Sequence, residues 1–133
     1  MSASQMKATL ESLGKALDRL EEALGQPLEN PLAVDATIQR FEFTIELFWK
    51  ALKRCLDFEG IDTSTPRDAL QQAYQAGWLQ DESKWLQMLR DRNATSHTYD
   101  EAKAREIYER IRANQPALRV AYEFLRQRFA TGI

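Results

Sequence analysis

Residues 34–55 read VDATIQRFEFTIELFWKALKRC, and the spacing of their apolar positions decides the fold. Val34, Ile38, Phe41, Ile45, Phe48, Leu52 and Cys55 follow one another at intervals 4-3-4-3-4-3. That is the seam of a helix packed along nearly its whole length. Phe43, Leu47 and Trp49 add apolar surface off the seam. A helix apolar on more than one side has more than one neighbour, drawn from its own chain or from a second subunit. Asn30-Pro31 predicts the start of this helix, with Asn30 at the N-cap and Pro31 at the first helical position, and Gly60 predicts its end.

Working outward, the same periodicity continues on both sides. A first helix is expected from about Ser4 to Leu24, with Leu10, Leu13, Leu17, Leu20 and Leu24 on one stripe and Gly25-Gln26-Pro27 ending it. Thr65-Pro66-Arg67-Asp68 opens a third helix, capped by Thr65 and stopped by Gly77. A fourth runs from about Asp81 to Asn93. Thr98 and Glu101 form a capping box for a fifth, which ends near Ala113. Pro116 starts a last helix with Leu118, Ala121, Tyr122, Leu125 and Phe129 on its inner stripe. Strand alternation and hairpin turn signals are absent. Short links between such helices imply an all-α antiparallel bundle of about five to six helices, in a single domain over residues 1–133.

Bulk properties narrow the function. The formal net charge of the 133 residues is −2, which argues against a generic nucleic-acid binder. Residues 103–133 nevertheless carry seven Lys and Arg against three Glu, a basic segment that fits either a polyanion or a solvated helix face. No apolar run approaches the roughly 20 residues that span a bilayer, so no membrane is expected. The first residues lack the apolar core of a signal peptide, and the expected location is the cytoplasm. The single cysteine, Cys55, lies on the apolar seam as a buried, reduced thiol. One histidine, one cysteine and scattered carboxylates do not make a metal site, and no cofactor is expected.

The chemistry concentrates between the fourth and fifth helices. At about 100° per residue, Arg92 falls close to the direction of Trp85 and Leu89 and therefore extends from the apolar face. A charge so placed calls for a partner. Glu42 or Glu46 of the second helix would make it a salt bridge; alternatively Arg92 serves an anion site. His97, the only histidine, lies just before the expected cap. Tyr99 points well away from the stripe of Ala104, Ile107, Tyr108 and Ile111, which puts its hydroxyl at a rim.

Arg92 followed by four residues, His97, one residue and Tyr99 resembles the signature of HEPN domains. This longer form looks like the HEPN toxin subset encoded beside minimal nucleotidyltransferases, also described as nucleotidyltransferase substrate-binding proteins. The flanks are similar to that family too: Ile38 to Lys50, Thr65-Pro66-Arg67, the run from Trp85 to Glu101, and Ile107 to Ile111. The resemblance extends from about residue 7 to residue 128. It departs from the family's habit at Ile45 and Phe48, where an aromatic and a small residue are common; both are packing positions.

The resemblance implies an all-α homodimer acting as a metal-independent endoribonuclease, with the RNA 2′-hydroxyl as nucleophile. Such chemistry needs proton transfer and positive charge on the phosphorane. His97 would move protons, Arg92 would clamp phosphate, and Asn93 would orient the site or bind phosphate, with Glu42 and Glu46 as possible supports. If two imidazoles are needed, a two-fold interface must bring His97 and its symmetry mate into one cleft. The family also implies a cognate minimal nucleotidyltransferase that transfers AMP to the motif tyrosine, here Tyr99, and so neutralises a toxin. The alternative is a non-catalytic subunit that binds nucleotide or substrate for a two-component nucleotidyltransferase.

Overall fold

The computed structural model describes residues 3–94 and 100–130. Five helices follow in order: α1 (Ala3–Leu24), α2 (Ala33–Phe58), α3 (Pro66–Gln75), α4 (Glu82–Ala94) and α5 (Glu101–Phe129). The described residues form no strand. α2 is the axis of the bundle and touches each of the other four helices, with α1 and α5 packed along it and against each other. No described helix is long and apolar enough to cross a membrane.

The seam of α2 is buried from Ile38 through Phe41, Ile45, Phe48 and Leu52 to Cys55, and faces the buried leucines of α1. Ile45 and Phe48 are core residues; the Phe48 ring meets Trp85 of α4 at 4.9 Å between centroids, tilted by 59°. The Thr44 hydroxyl donates to the Arg40 carbonyl of its own helix at 2.7 Å and to the Ala16 carbonyl of α1 at 3.3 Å, satisfying a polar group inside the α1–α2 contact. Burial, with a smaller push from Glu59, raises the Cys55 thiol to about 12.

Helix punctuation departs from the sequence expectation in three places. Asn30 does not cap α2. Its side chain accepts from the Leu32 N–H at 2.9 Å in a turn ahead of the helix, which begins two residues later than Pro31. α5 is capped by Asp100, whose carboxylate accepts from the N–H groups of Ala102 and Lys103 at 3.0 and 3.2 Å; the expected cap Thr98 lies outside the described residues. The two C-terminal helices expected on either side of Pro116 are one. Ile111 and Leu118 are seven residues apart, so the buried stripe keeps its phase through the proline. One uninterrupted apolar stripe, from Ala104 to Phe129, outweighs the missing N–H of an exposed Pro116. The cap at Thr65 forms as expected, its hydroxyl accepting from the Asp68 N–H at 3.0 Å, and Gly77 supplies a positive φ of 85° after α3.

Candidate functional site

α4 delivers Arg92 to the side of α2 in its last turn. Trp85 and Met88 anchor α4 in the core, and this fixes the phase that turns Arg92 towards Glu46. The guanidinium Nη2 donates to Glu46 Oε2 at 2.5 Å, and Nη1 donates to the Asn93 side-chain oxygen at 3.2 Å. Of the two carboxylates open from sequence, Glu46 is the one hydrogen-bonded to Arg92; Glu42, one turn earlier, is half-buried and is not. Arg92 keeps 37% of its side-chain surface, so it is tethered yet accessible.

Glu46 is the hub of this cluster. Its Oε2 also accepts from the Trp49 indole N–H at 3.2 Å, and Lys50 approaches Oε1 at 3.3 Å. Burial pulls the Glu46 carboxyl up, but the bonds from Trp49 and Lys50 and the charge of Arg92 outweigh it and hold the group below the ordinary carboxylate value. A carboxylate ionised throughout the physiological range therefore orients Arg92 and the indole together. Trp49 carries no sequence signal beyond an apolar residue off the seam; its role as a partner of Glu46 follows from helix phase, since it sits three residues further on α2.

On the other flank of α4, Asp91 is buried, although its helical angle suggests a water-facing residue. Its side chain is 2% exposed and receives a two-pronged contact from Arg110 of α5, with Nε at 2.9 Å from Oδ2 and Nη2 at 2.8 Å from Oδ1. Gln87 adds a third donor at 3.2 Å. α5 packs on that flank of α4, which the angle alone does not reveal. Arg92 and Asp91, neighbours in sequence, thus tie α4 to α2 and to α5 respectively.

Most arginines of the basic C-terminal segment are paired with carboxylates of the same chain. Arg119 pairs with Asp18 at 2.8 Å and with Glu21, Arg128 with Glu59 at 2.6 Å, and Arg126 with Glu123 at 3.0 Å. Arg119 and Arg128 bind α5 to the acidic surfaces of α1 and α2, and Arg126 is held within α5, instead of forming a free cationic face. Among the described residues, no three His, Cys, Asp or Glu side chains are grouped to hold a metal ion. His97 and Tyr99 lie outside the described residues, in the five positions between Ala94 and Asp100.

The described residues thus form an all-helical bundle with a guanidinium anchored in the last turn of α4, a group whose planar fork of donors matches carboxylate and phosphate oxygens. The chain is a member of the family described as nucleotidyltransferase substrate binding protein like, whose model matches residues 8–127. It is 40% identical over 83 residues to a Haemophilus influenzae protein named "Probable ribonuclease HepT", a match covering 59% of this chain and 57% of that relative. The matched part thus spans little more than half of that relative's length. A Thermus thermophilus protein of known crystal structure shares 37% identity at a TM-score of 0.80, covering 86% of this chain and 98% of the other. A second solved structure, from Haemophilus influenzae, is described as revealing the fold of a substrate binding domain of a nucleotidyltransferase. It is 31% identical with a TM-score of 0.69, covering 95% of this chain and all of that one.

Proposed function

We propose that this protein is the toxin of a toxin–antitoxin pair: a HEPN-type, metal-independent endoribonuclease that works as a homodimer and is neutralised by AMP transfer to Tyr99 from a cognate nucleotidyltransferase. The observation that carries the reading is the Arg92–Glu46 anchor. It holds the guanidinium of a side chain that is 37% exposed, five residues ahead of the chain's only histidine. The relative named as a probable ribonuclease supports the activity, and the relative described as a nucleotidyltransferase's substrate binding domain supports the partner.

In this reading the RNA 2′-hydroxyl attacks the adjacent phosphorus. The 2′-O–P bond forms, the P–O5′ bond breaks, and the products are a 2′,3′-cyclic phosphate and a free 5′-hydroxyl. His97 of one protomer takes the 2′ proton and its symmetry mate returns one to the departing 5′-oxygen. Arg92 stabilises the charge that builds on the phosphorane, and Asn93 steers the guanidinium. Purified protein incubated with RNA in the presence of a chelator, beside His97→Ala, tests this. Cleavage present in the parent and lost in the variant is the expected result; equal background in both rejects the nuclease.

The second reading, a non-catalytic nucleotide-binding subunit of a two-component nucleotidyltransferase, is favoured by the description of the second solved relative. In that case the same assay shows salt-sensitive RNA or nucleotide binding without cleavage.

A further inference from the structure

Beside the Arg92–Glu46 anchor, α2, the start of α3 and the outer side of α4 enclose a recess of about 310 Å³. Trp49, Leu86 and Leu89 line it together with Arg67, Arg90 and Arg92. No carboxylate is among its described lining residues. Arg90 is engaged by a neutral partner, the Gln87 side-chain oxygen at 2.8 Å. Unlike the arginines that fasten α5, neither Arg67 nor Arg90 forms an ion pair with a described carboxylate. The indole N–H is anchored by its bond to Glu46, so the recess combines a tethered aromatic side chain with three arginines.

We propose that this recess binds one nucleotide, its base against the Trp49 indole and its phosphate among Arg67, Arg90 and Arg92. The inference rests on the reading of Arg92 as a phosphate holder. The chemistry is complementary on both counts. A heteroaromatic ring stacks on an indole, and guanidiniums bind phosphate through charge and paired N–H donors. The volume lies at the small end of ligand sites, which suits a single nucleotide and excludes a folded RNA element. The nucleotide has two sources: a residue of a single-stranded RNA beside the scissile phosphate, or a free mononucleotide.

Calorimetric titration of the full chain separates them, with adenosine 5′-monophosphate and a ten-residue oligoadenylate as probes and adenosine and ribose 5-phosphate as half-ligands. The parent binds a probe carrying both base and phosphate at least about ten-fold more tightly than either half-ligand. Trp49→Leu and Arg67→Ala each weaken that binding by about ten-fold, as loss of one stacking contact or one phosphate contact predicts. Tighter binding of the oligonucleotide than of the mononucleotide assigns the pocket to RNA; the reverse assigns it to the free nucleotide. Arg67 retains solvent exposure at the rim, so its variant remains informative if Trp49→Leu unfolds. The proposal is overturned if neither probe binds, or if folded Trp49→Leu and Arg67→Ala both bind within about two-fold of the parent. Cleavage assays on the same samples keep the two readings apart. Cleavage with a probe affinity indifferent to Trp49 and Arg67 rejects the pocket alone. Pocket-dependent binding without cleavage rejects the nuclease alone.

Discussion

Glu46 concentrates at one carboxylate what the site asks of its scaffold. Replacing it with Gln keeps the shape but removes the charge that tethers Arg92, so RNA affinity or cleavage should fall by about ten-fold, the scale of one charge-assisted hydrogen bond. The stability consequence has a definite sign. The folded-state pKa of Glu46 is lowered, so its contribution is present above the unfolded value of about 4.3 and is lost as pH falls through the folded value. Denaturation below about pH 4.3 should therefore be less acid-sensitive in Glu46→Gln than in the parent; an unchanged acid limb sinks the assignment. Tyr99 carries a different prediction. An AMP group on its hydroxyl would place a negative phosphodiester two residues from His97, competing with RNA for Arg92. If the proposed function holds, Tyr99→Phe should retain the nuclease and escape the partner's silencing. Equal silencing of variant and parent means complex formation alone suffices.

At the scale of elements, the α4–α5 junction depends on an unequal pair. Asp91 is buried whereas Arg110 keeps 42% of its side-chain surface, so the cost of losing each partner differs. Arg110→Met leaves a buried carboxylate with Gln87 as its remaining side-chain donor and should destabilise the fold by about 3 kcal/mol in urea titrations. Adding Asp91→Leu removes the stranded charge and should recover most of that loss. Pro116 offers the opposite case. It is exposed inside a continuous helix, so Pro116→Ala restores an N–H facing the Arg112 carbonyl and should raise the unfolding free energy by about 1 kcal/mol or more. A drop in stability would mean that the proline's restriction of the unfolded chain dominates. The two cases also mark what sequence reveals. The α2 seam and the Thr65 cap are local patterns and are legible. The seven-residue step from Ile111 to Leu118 already signals one helix, but a proline rule read by itself divides it. Asp91 is opaque because its burial depends on where α5 packs. At the site, helix phase narrows the partner of Arg92 to two glutamates, while the recess walled by Trp49 and Arg67 appears only when α3 is brought beside α4.

For the whole molecule, charge placement limits how an RNA ligand of the proposed nuclease would be held. The basic C-terminal segment suggests a broad cationic face, yet Arg110, Arg119, Arg126 and Arg128 are each committed to a carboxylate of the same chain. Binding should then be local and depend on the few guanidiniums around the recess. Counterion release makes this measurable, because each phosphate neutralised on a single strand contributes about −0.7 to the slope of log K against log salt. The one phosphate held among Arg67, Arg90 and Arg92 sets a slope of about −0.7 per protomer for a short single-stranded RNA. Arg126→Ala should leave that slope unchanged. A slope of about −4 or steeper, reduced by Arg126→Ala, would show that the ion pairs of α5 open to admit the polyanion and that the C-terminal helix is itself part of the RNA path.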